Sequence, residues 1–468
     1  MTRRIALISE HASPLAVLGG VDSGGQNVYV GQVARHLAAL GYEVDVFTRR
    51  DSARLPETAE WIDGVRIVHV AAGPPELVRK EDLLPYMEEF TAQMLRFCRL
   101  QRRLYDLVHA NFWMSGLVAA ELKQALGLPF VITFHALGRV RRLHQRGADG
   151  FPDARFAIED RVVQQADRII AECPQEEEDL IRLYNGDATR IAIVPAGFDP
   201  AECWPISKEL ARVTLGLPAE EPIILQLGRL VPRKGLDTTI RGFARLRRAH
   251  GVTARLLIVG GESNDPDPAL TPEIGRLLDI ARDEGVADDV VFVGRRGRDV
   301  LKYYYGAADV FVTTPWYEPF GITPVEAMAC GTPVVGANVG GIKFTVRDGE
   351  TGYLVPPDDP EALGERLAHL YRHPRVLSLF RRQAIQRAND LFTWPRVASA
   401  LAEVYDDVVL ASRPDRRDES LRRAVVDSGF DKAALIPMGD VESNIRMLGR
   451  RVLPRLHTNR APSTLAGA

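Results

Sequence analysis

Only four cysteines occur in 468 residues, Cys98, Cys173, Cys203 and Cys330, and no two stand in Cys-x-x-Cys spacing. Disulfide frameworks and zinc ribbons need clustered cysteines, so both are excluded, and buried thiols in a reducing cytosol fit better. Charge of one sign is missing too. The 59 basic and 62 acidic residues leave a net charge of −3, too balanced for a general nucleic-acid or membrane binder. No apolar run approaches the ~20 residues of a bilayer span. The N-terminal run is basic and then apolar, but Glu10 cuts it too short for a signal peptide. Neither a Gly-x-Gly-x-x-Gly fingerprint nor a Gly-x4-Gly-Lys-Ser/Thr loop is present, so dinucleotide and ATPase readings lose their main support. Asp265-Pro266-Asp267 formally matches a D-x-D metal motif. It lies in a Pro-rich stretch with no strand before it and reads as a surface loop. The expectation is a cytoplasmic protein with no nucleic-acid partner, no stable membrane insertion and no metal site.

The apolar share of 46% is ordinary for a soluble protein, and the chain is too long for one core. β-Branched runs at 5–9, 43–48, 65–70, 106–109, 130–134, 168–171 and 191–194 alternate with helical patterns such as Val30, Val33, Leu37 and Leu40. After an irregular, Pro-containing stretch up to Pro218, a second set follows at 223–227, 255–259, 290–293, 309–313, 334–335 and 352–355. Such alternation predicts an α/β architecture of two Rossmann-like parallel-sheet domains facing across a cleft. The expected divisions are 1–198, a connection at 199–218, and 219–395. Nothing identifiable follows Ser412; residues 421–453 have room for a helix or two.

Within the second set, 309–341 carries the densest signal. A buried strand leads through Pro315 and Trp316 to a helix starting near Gly321, and Gly331-Thr332-Pro333 turns into another strand. Unpaired N–H groups at that helix start suit phosphate. Glu318 precedes it and Glu326 lies inside the helix, so both suit hydroxyls better than anions. Gly228 to Gly235 follows a strand and brings Arg229 and Lys234 within reach of one ligand. Ser23-Gly24-Gly25-Gln26-Asn27 opens the first helix, and His135 ends a strand of the first half at the expected cleft. Basic stretches at Arg96, Arg99, Arg102, Arg103 and at Arg139, Arg141, Arg142, Arg146 fit solvated faces, or an acidic acceptor or lipid headgroup near the cleft.

Glu318-PFGITPV-Glu326 resembles the paired-glutamate motif of retaining glycosyltransferases of the GT-B architecture. The string from His11 to Val30 resembles the family containing the inositol-phosphate N-acetylglucosaminyltransferase of mycothiol synthesis and sucrose-phosphate synthase, and the likeness extends to about Val409. It implies a nucleoside-diphosphate sugar (UDP-linked) as co-substrate with no further cofactor, and a small phosphorylated acceptor. It implies that Glu318 contacts the transferred sugar and Glu326 the ribose. Gly25, Arg229, Lys234, Gly321 and Ile322 would hold the donor, and Arg229 and Lys234 would neutralise the departing diphosphate. His135 would orient the sugar. His11, Asp22 and Asn27 would form the acceptor loop, and Lys80 and Arg155 would bind the acceptor phosphate. Residues 396–412 would be a helix crossing back to the first domain. Two positions depart from the inositol-phosphate pattern: Phe112 and Ala136 replace hydroxyl-bearing residues, each loss worth about 1 kcal/mol of phosphate binding. The alternatives are a nucleotide-sugar epimerase of the same fold, a sugar-nucleotide sensor, or a transferase acting on a membrane phosphoinositide.

Overall fold

The computed structural model describes residues 3–16, 24–145 and 149–412. Asp22, Arg146 and everything after Ser412 lie outside the described residues, as do the expectations made for them. Eight strands form the first sheet: β1 (Arg4–Ile8), β2 (Glu43–Arg49), β3 (Thr58–Ile62), β4 (Val65–Val70), β5 (Leu107–Asn111), β6 (Phe130–Thr133), β7 (Arg168–Ala171) and β8 (Ile191–Ile193). Their order is β3-β4-β2-β1-β5-β6-β7-β8, parallel except where β3 runs against β4. Six parallel strands form the second: β9 (Ile223–Leu227), β10 (Arg255–Val259), β11 (Val290–Gly294), β12 (Val310–Thr313), β13 (Val334–Ala337) and β14 (Gly352–Val355), ordered β11-β10-β9-β12-β13-β14. Helices on both faces explain why the central strands read as continuous apolar runs.

Predicted and observed strands agree to within one or two residues at their ends. β3 is absent from the expectation because it is a partly exposed edge strand of mixed composition, Thr-Ala-Glu-Trp-Ile. In the Gly25–Ala39 helix Val30, Val33 and Leu37 are buried as predicted, whereas Leu40 falls past the helix end and is 49% exposed. The stretch read as irregular between the sheets needs correction. Lys208–Leu215 is a helix, capped by Ser207 and closed by Gly216. It is docked by Arg212, which donates to the carbonyl of Ala307 at 3.1 Å and lies 3.4 Å from Asp309.

The last described helix, Trp394–Ala411, leaves the second sheet and packs on the Gly25–Ala39 helix of the first. Two backbone hydrogen bonds start the crossing, from Phe198 N–H to Phe392 and from Trp394 N–H to Phe198. The Tyr405 hydroxyl then meets His109 Nδ1 at 2.6 Å beneath β5. One apolar cluster consequently runs from β1 through Trp394, Leu401 and Tyr405 to β9 and the Ile322–Ala329 helix.

Candidate functional site

Each sheet reverses its winding once. The chain moves outward from β1 to β2 and β4, then returns to β5 on the other side of β1; likewise β9, β10 and β11 are followed by β12 beside β9. Loops diverge at such points and leave a crevice beyond the strand ends. The two crevices share one cavity of about 320 Å³. Among the described residues, eight lysine and arginine side chains line it against three glutamates, a balance that favours anionic ligands.

The loop after β9 ends in a short 3-10 turn, Pro232–Lys234, followed by Gly235 at φ +65°. A Cβ on Gly235 would come 1.9 Å from the Thr314 carbonyl, so only glycine lets this turn lie against the end of β12. Lys234 is thereby held against Glu318, to which its ammonium donates a hydrogen bond. Burial pushes Lys234 down to about 8, and Arg233 and Arg229 add to that while Glu318 opposes it. Burial would raise Glu318, but Lys234, Arg233 and Arg229 outweigh it and hold the carboxyl below its usual range. Glu318 is ionised in a cationic corner. Beside it Gly321, Ile322 and Thr323 bring the start of the Ile322–Ala329 helix to the wall. One turn on, Glu326 is 1% exposed; its Oε1 accepts from Arg298 at 2.8 Å and its Oε2 from the Tyr305 hydroxyl at 2.9 Å. Arg298 also donates to Glu202 at 2.7 Å.

The facing wall is a row of strand ends: His11 beyond β1, Phe112 beyond β5, His135 and Ala136 beyond β6, Glu172 beyond β7. Phe112 and His135 have φ of +87° and +57°, a left-handed backbone that costs about 1–3 kcal/mol each and recurs at functional sites. Asn111 directs its amide N–H groups at the carbonyls of Ile8 and His109, so its Oδ1 faces His135 Nε2 at 3.0 Å. Nδ1 of the same ring lies 3.4 Å from Glu172. Both ring nitrogens face oxygen acceptors, which suits a positioning group and leaves neither free to abstract a proton. Behind them, burial and the charge of Glu172 push Glu176 up to about 8. Asn27 uses its side chain as a strut, accepting from Gly24 N–H and donating to the Ser13 carbonyl, both at 2.9 Å. Gly24 reaches across the cavity: a Cβ there would lie 3.4 Å from Arg229 Nε, and one on Gly25 would lie 3.7 Å from Ile322.

Residues 24–197 match the family model described as glycosyl transferase 4-like domain, and residues 207–390 match that of glycosyl transferases group 1. D-inositol 3-phosphate glycosyltransferase 2 of Catenulispora acidiphila is 39% identical over 413 residues, 86% of this chain and 95% of its own. The chain belongs to the GT-B glycosyltransferases. A second D-inositol 3-phosphate glycosyltransferase, from Acidothermus cellulolyticus, is 38% identical over 88% of this chain and 92% of its own. Sucrose-phosphate synthase of Thermosynechococcus elongatus superposes with a TM-score of 0.80 at 33% identity, covering 87% of this chain and all of its own.

In this GT-B enzyme the cavity wall gathers His11, Gly25, Asn27, Lys80, His135, Arg229, Lys234, Glu318, Gly321, Ile322 and Glu326, from positions up to 315 residues apart (326 − 11 = 315). Arg155 is the exception. It is 1% exposed and lies behind Phe112, its guanidinium 5.1 Å from that ring and 4.6 Å from Phe151. It donates to Glu159 at 2.7 Å and to the Ala136 carbonyl. A cation boxed in by aromatic rings and a buried carboxylate is held away from the cavity. Sequence reasoning missed Glu172, Arg298 and Tyr305, which surround expected residues without sharing a motif with them. It placed Arg141 only within a basic stretch that fits a solvated face or an acidic ligand, without singling it out. Arg141 lines the cavity and donates to Asp149 at 2.6 Å.

Proposed function

We propose that this nucleotide-sugar-dependent glycosyltransferase is retaining, and moves a sugar from a UDP-linked donor to a hydroxyl of a small phosphorylated polyol or sugar. The observation that carries the reading is the corner where Lys234, Arg229, Glu318 and the helix start at Gly321 converge opposite His135. Lys234, Arg229 and the helix N–H groups match the charge that develops on a departing diphosphate. Glu318 accepts from sugar hydroxyls and His135 orients the ring.

Configuration follows from which carboxylates are left to react. Glu318 is engaged by Lys234, Glu326 by Arg298 and Tyr305, and Glu172 lies against His135. Among the described residues the wall has no uncommitted carboxylate, which favours attack on the donor's own face through an oxocarbenium-like state over a glycosyl-enzyme. Lys80 and Arg141 supply positive charge on the acceptor side, and the inositol-phosphate relatives support a phosphorylated acceptor. Phe112 and Ala136 offer no hydroxyl to that phosphate.

A matrix of nucleoside-diphosphate sugars against phosphorylated and unphosphorylated polyols, read as nucleotide release and product anomer by NMR, tests the reading. Inversion at the anomeric carbon, or equal transfer to unphosphorylated acceptors, would overturn it. A new nucleotide sugar formed without any acceptor would favour an epimerase.

A further inference from the structure

Glu10 is a fully buried acid that sugar transfer as outlined does not employ. Among the described residues its carboxylate has two side-chain partners. His11 Nδ1 lies 2.8 Å from Oε1, and the hydroxyl of Ser115, itself fully buried on the first turn of the Trp113–Leu126 helix, donates to Oε2. With the Ser115 hydroxyl donating to Oε2, a carboxylate that accepts at Oε1 as well would place the proton between Glu10 and the ring on Nδ1. In a neutral imidazole the other nitrogen then carries a lone pair. The His11 ring lines the cavity and stands edge-on to Phe112, centroids 4.9 Å apart at 66°, so its plane is fixed as well as its tautomer.

We propose that Glu10 is a positioning residue that locks His11 in the Nδ1–H tautomer, so that Nε2 accepts a hydrogen bond from a hydroxyl of the incoming polyol or sugar. The chemistry of that end of the cavity calls for such a group. Lys80 and Arg141 can only donate, and neither Phe112 nor Ala136 brings a hydroxyl. Donors hold a phosphate or the oxygen of a hydroxyl; they do not direct its hydrogen. A lone pair at a fixed place does, and thereby distinguishes a hydroxylated ligand from a bare anion. The assignment of this hydroxyl to the acceptor rests on reading this end as the acceptor side.

The lock is read directly by ¹⁵N imidazole NMR on the full chain, with His11 assigned through His11→Asn. At neutral pH the wild type is expected to show Nδ1 protonated and Nε2 bare. Glu10→Gln keeps the volume but offers the ring an N–H donor, and should convert most of the population to the Nε2–H tautomer, as exchange of a carboxylate for an amide does at other carboxylate–histidine pairs. A wild-type ring protonated on Nε2, or an unchanged tautomer in Glu10→Gln, overturns the proposal. The wild-type spectrum decides even if the variant does not fold. Calorimetry with UDP and D-inositol 3-phosphate as probes tests the acceptor role. Glu10→Gln should weaken D-inositol 3-phosphate about tenfold with UDP affinity unchanged. A switched tautomer with unaltered D-inositol 3-phosphate binding would overturn the acceptor role. Failure of D-inositol 3-phosphate to bind the wild type would overturn the acceptor reading, and the tautomer would still decide the lock.

Discussion

Glu318 and Lys234 form one functional unit, and their variants should diverge. Glu318→Gln leaves Lys234, Arg229 and Arg233 in place with one negative charge fewer. Losing the carboxylate that supports the charge on Lys234 also pushes that lysine further down. At a pH low enough to keep it charged, UDP affinity should hold or rise, while turnover falls by about a hundredfold or more, the loss typical of an interaction made chiefly in the transition state. Calorimetry beside steady-state rates would show it; equal losses in both would remove Glu318 from the sugar. Lys234 gives a pH prediction. Its folded value is lowered to about 8, so in the free enzyme it is charged below that pH and neutral above it. UDP binding should weaken as pH rises through 8. Above 8, binding should take up as much as one proton as the diphosphate restores the charge, which calorimetry in buffers of different ionisation enthalpy would detect. Both residues were legible in the sequence because each sits in a contiguous strand-end motif. Glu172 was not, since its meaning comes from His135, which lies 37 residues earlier in the chain (172 − 135 = 37) and meets it only because β6 and β7 are neighbours. The setting of Arg155 was illegible for a related reason: the rings of Phe112 and Phe151 that enclose it come from other segments.

The elements place these residues through a few close backbone contacts. Gly340, at φ +44°, is one of them. A Cβ there would fall 2.0 Å from the Glu318 carbonyl, the same oxygen that accepts from Gly341 N–H at 2.9 Å. Gly340→Ala must push the Glu318 loop toward the cavity. Turnover should fall at least about tenfold, with a stability loss on the order of 1–3 kcal/mol. Thermal melts beside rates would check this, and wild-type turnover would show that the loop is not held from behind. The strands and the helix at Gly321 could be read from β-branched runs and turn residues. The Lys208–Leu215 helix could not, because only eight residues stand between Pro205-Ile206-Ser207 and Gly216-Leu217-Pro218. Its stability comes from Arg212 docking on Ala307 and Asp309, a tertiary effect that local propensity does not contain.

At the scale of the molecule, the described residues up to Ser412 fall in one compact unit. All the described cavity-lining residues lie within it. A chain ending at Ser412 is expected to keep the melting temperature and turnover of the full chain. Loss of folding or activity would make the last 56 residues (468 − 412) part of the enzyme. Several bonds bridge the two sheet-bearing halves: Gln145 Nε2 donates to the Tyr317 hydroxyl at 2.7 Å, the Cys173 thiol to the Pro319 carbonyl at 3.3 Å, and Lys343 to Gln175. His144 stacks on Tyr317, their ring centroids 5.3 Å apart. These fastenings lie around the loop that carries Glu318, and a bulky donor that enters beside it has to wait for them to open. Its arrival would then be timed by that opening rather than by diffusion. In stopped-flow experiments the observed rate of UDP-sugar association should climb with concentration and level off at the frequency of spontaneous opening. Tyr317→Ala, which loses both the hydroxyl and the stacked ring, should raise that ceiling.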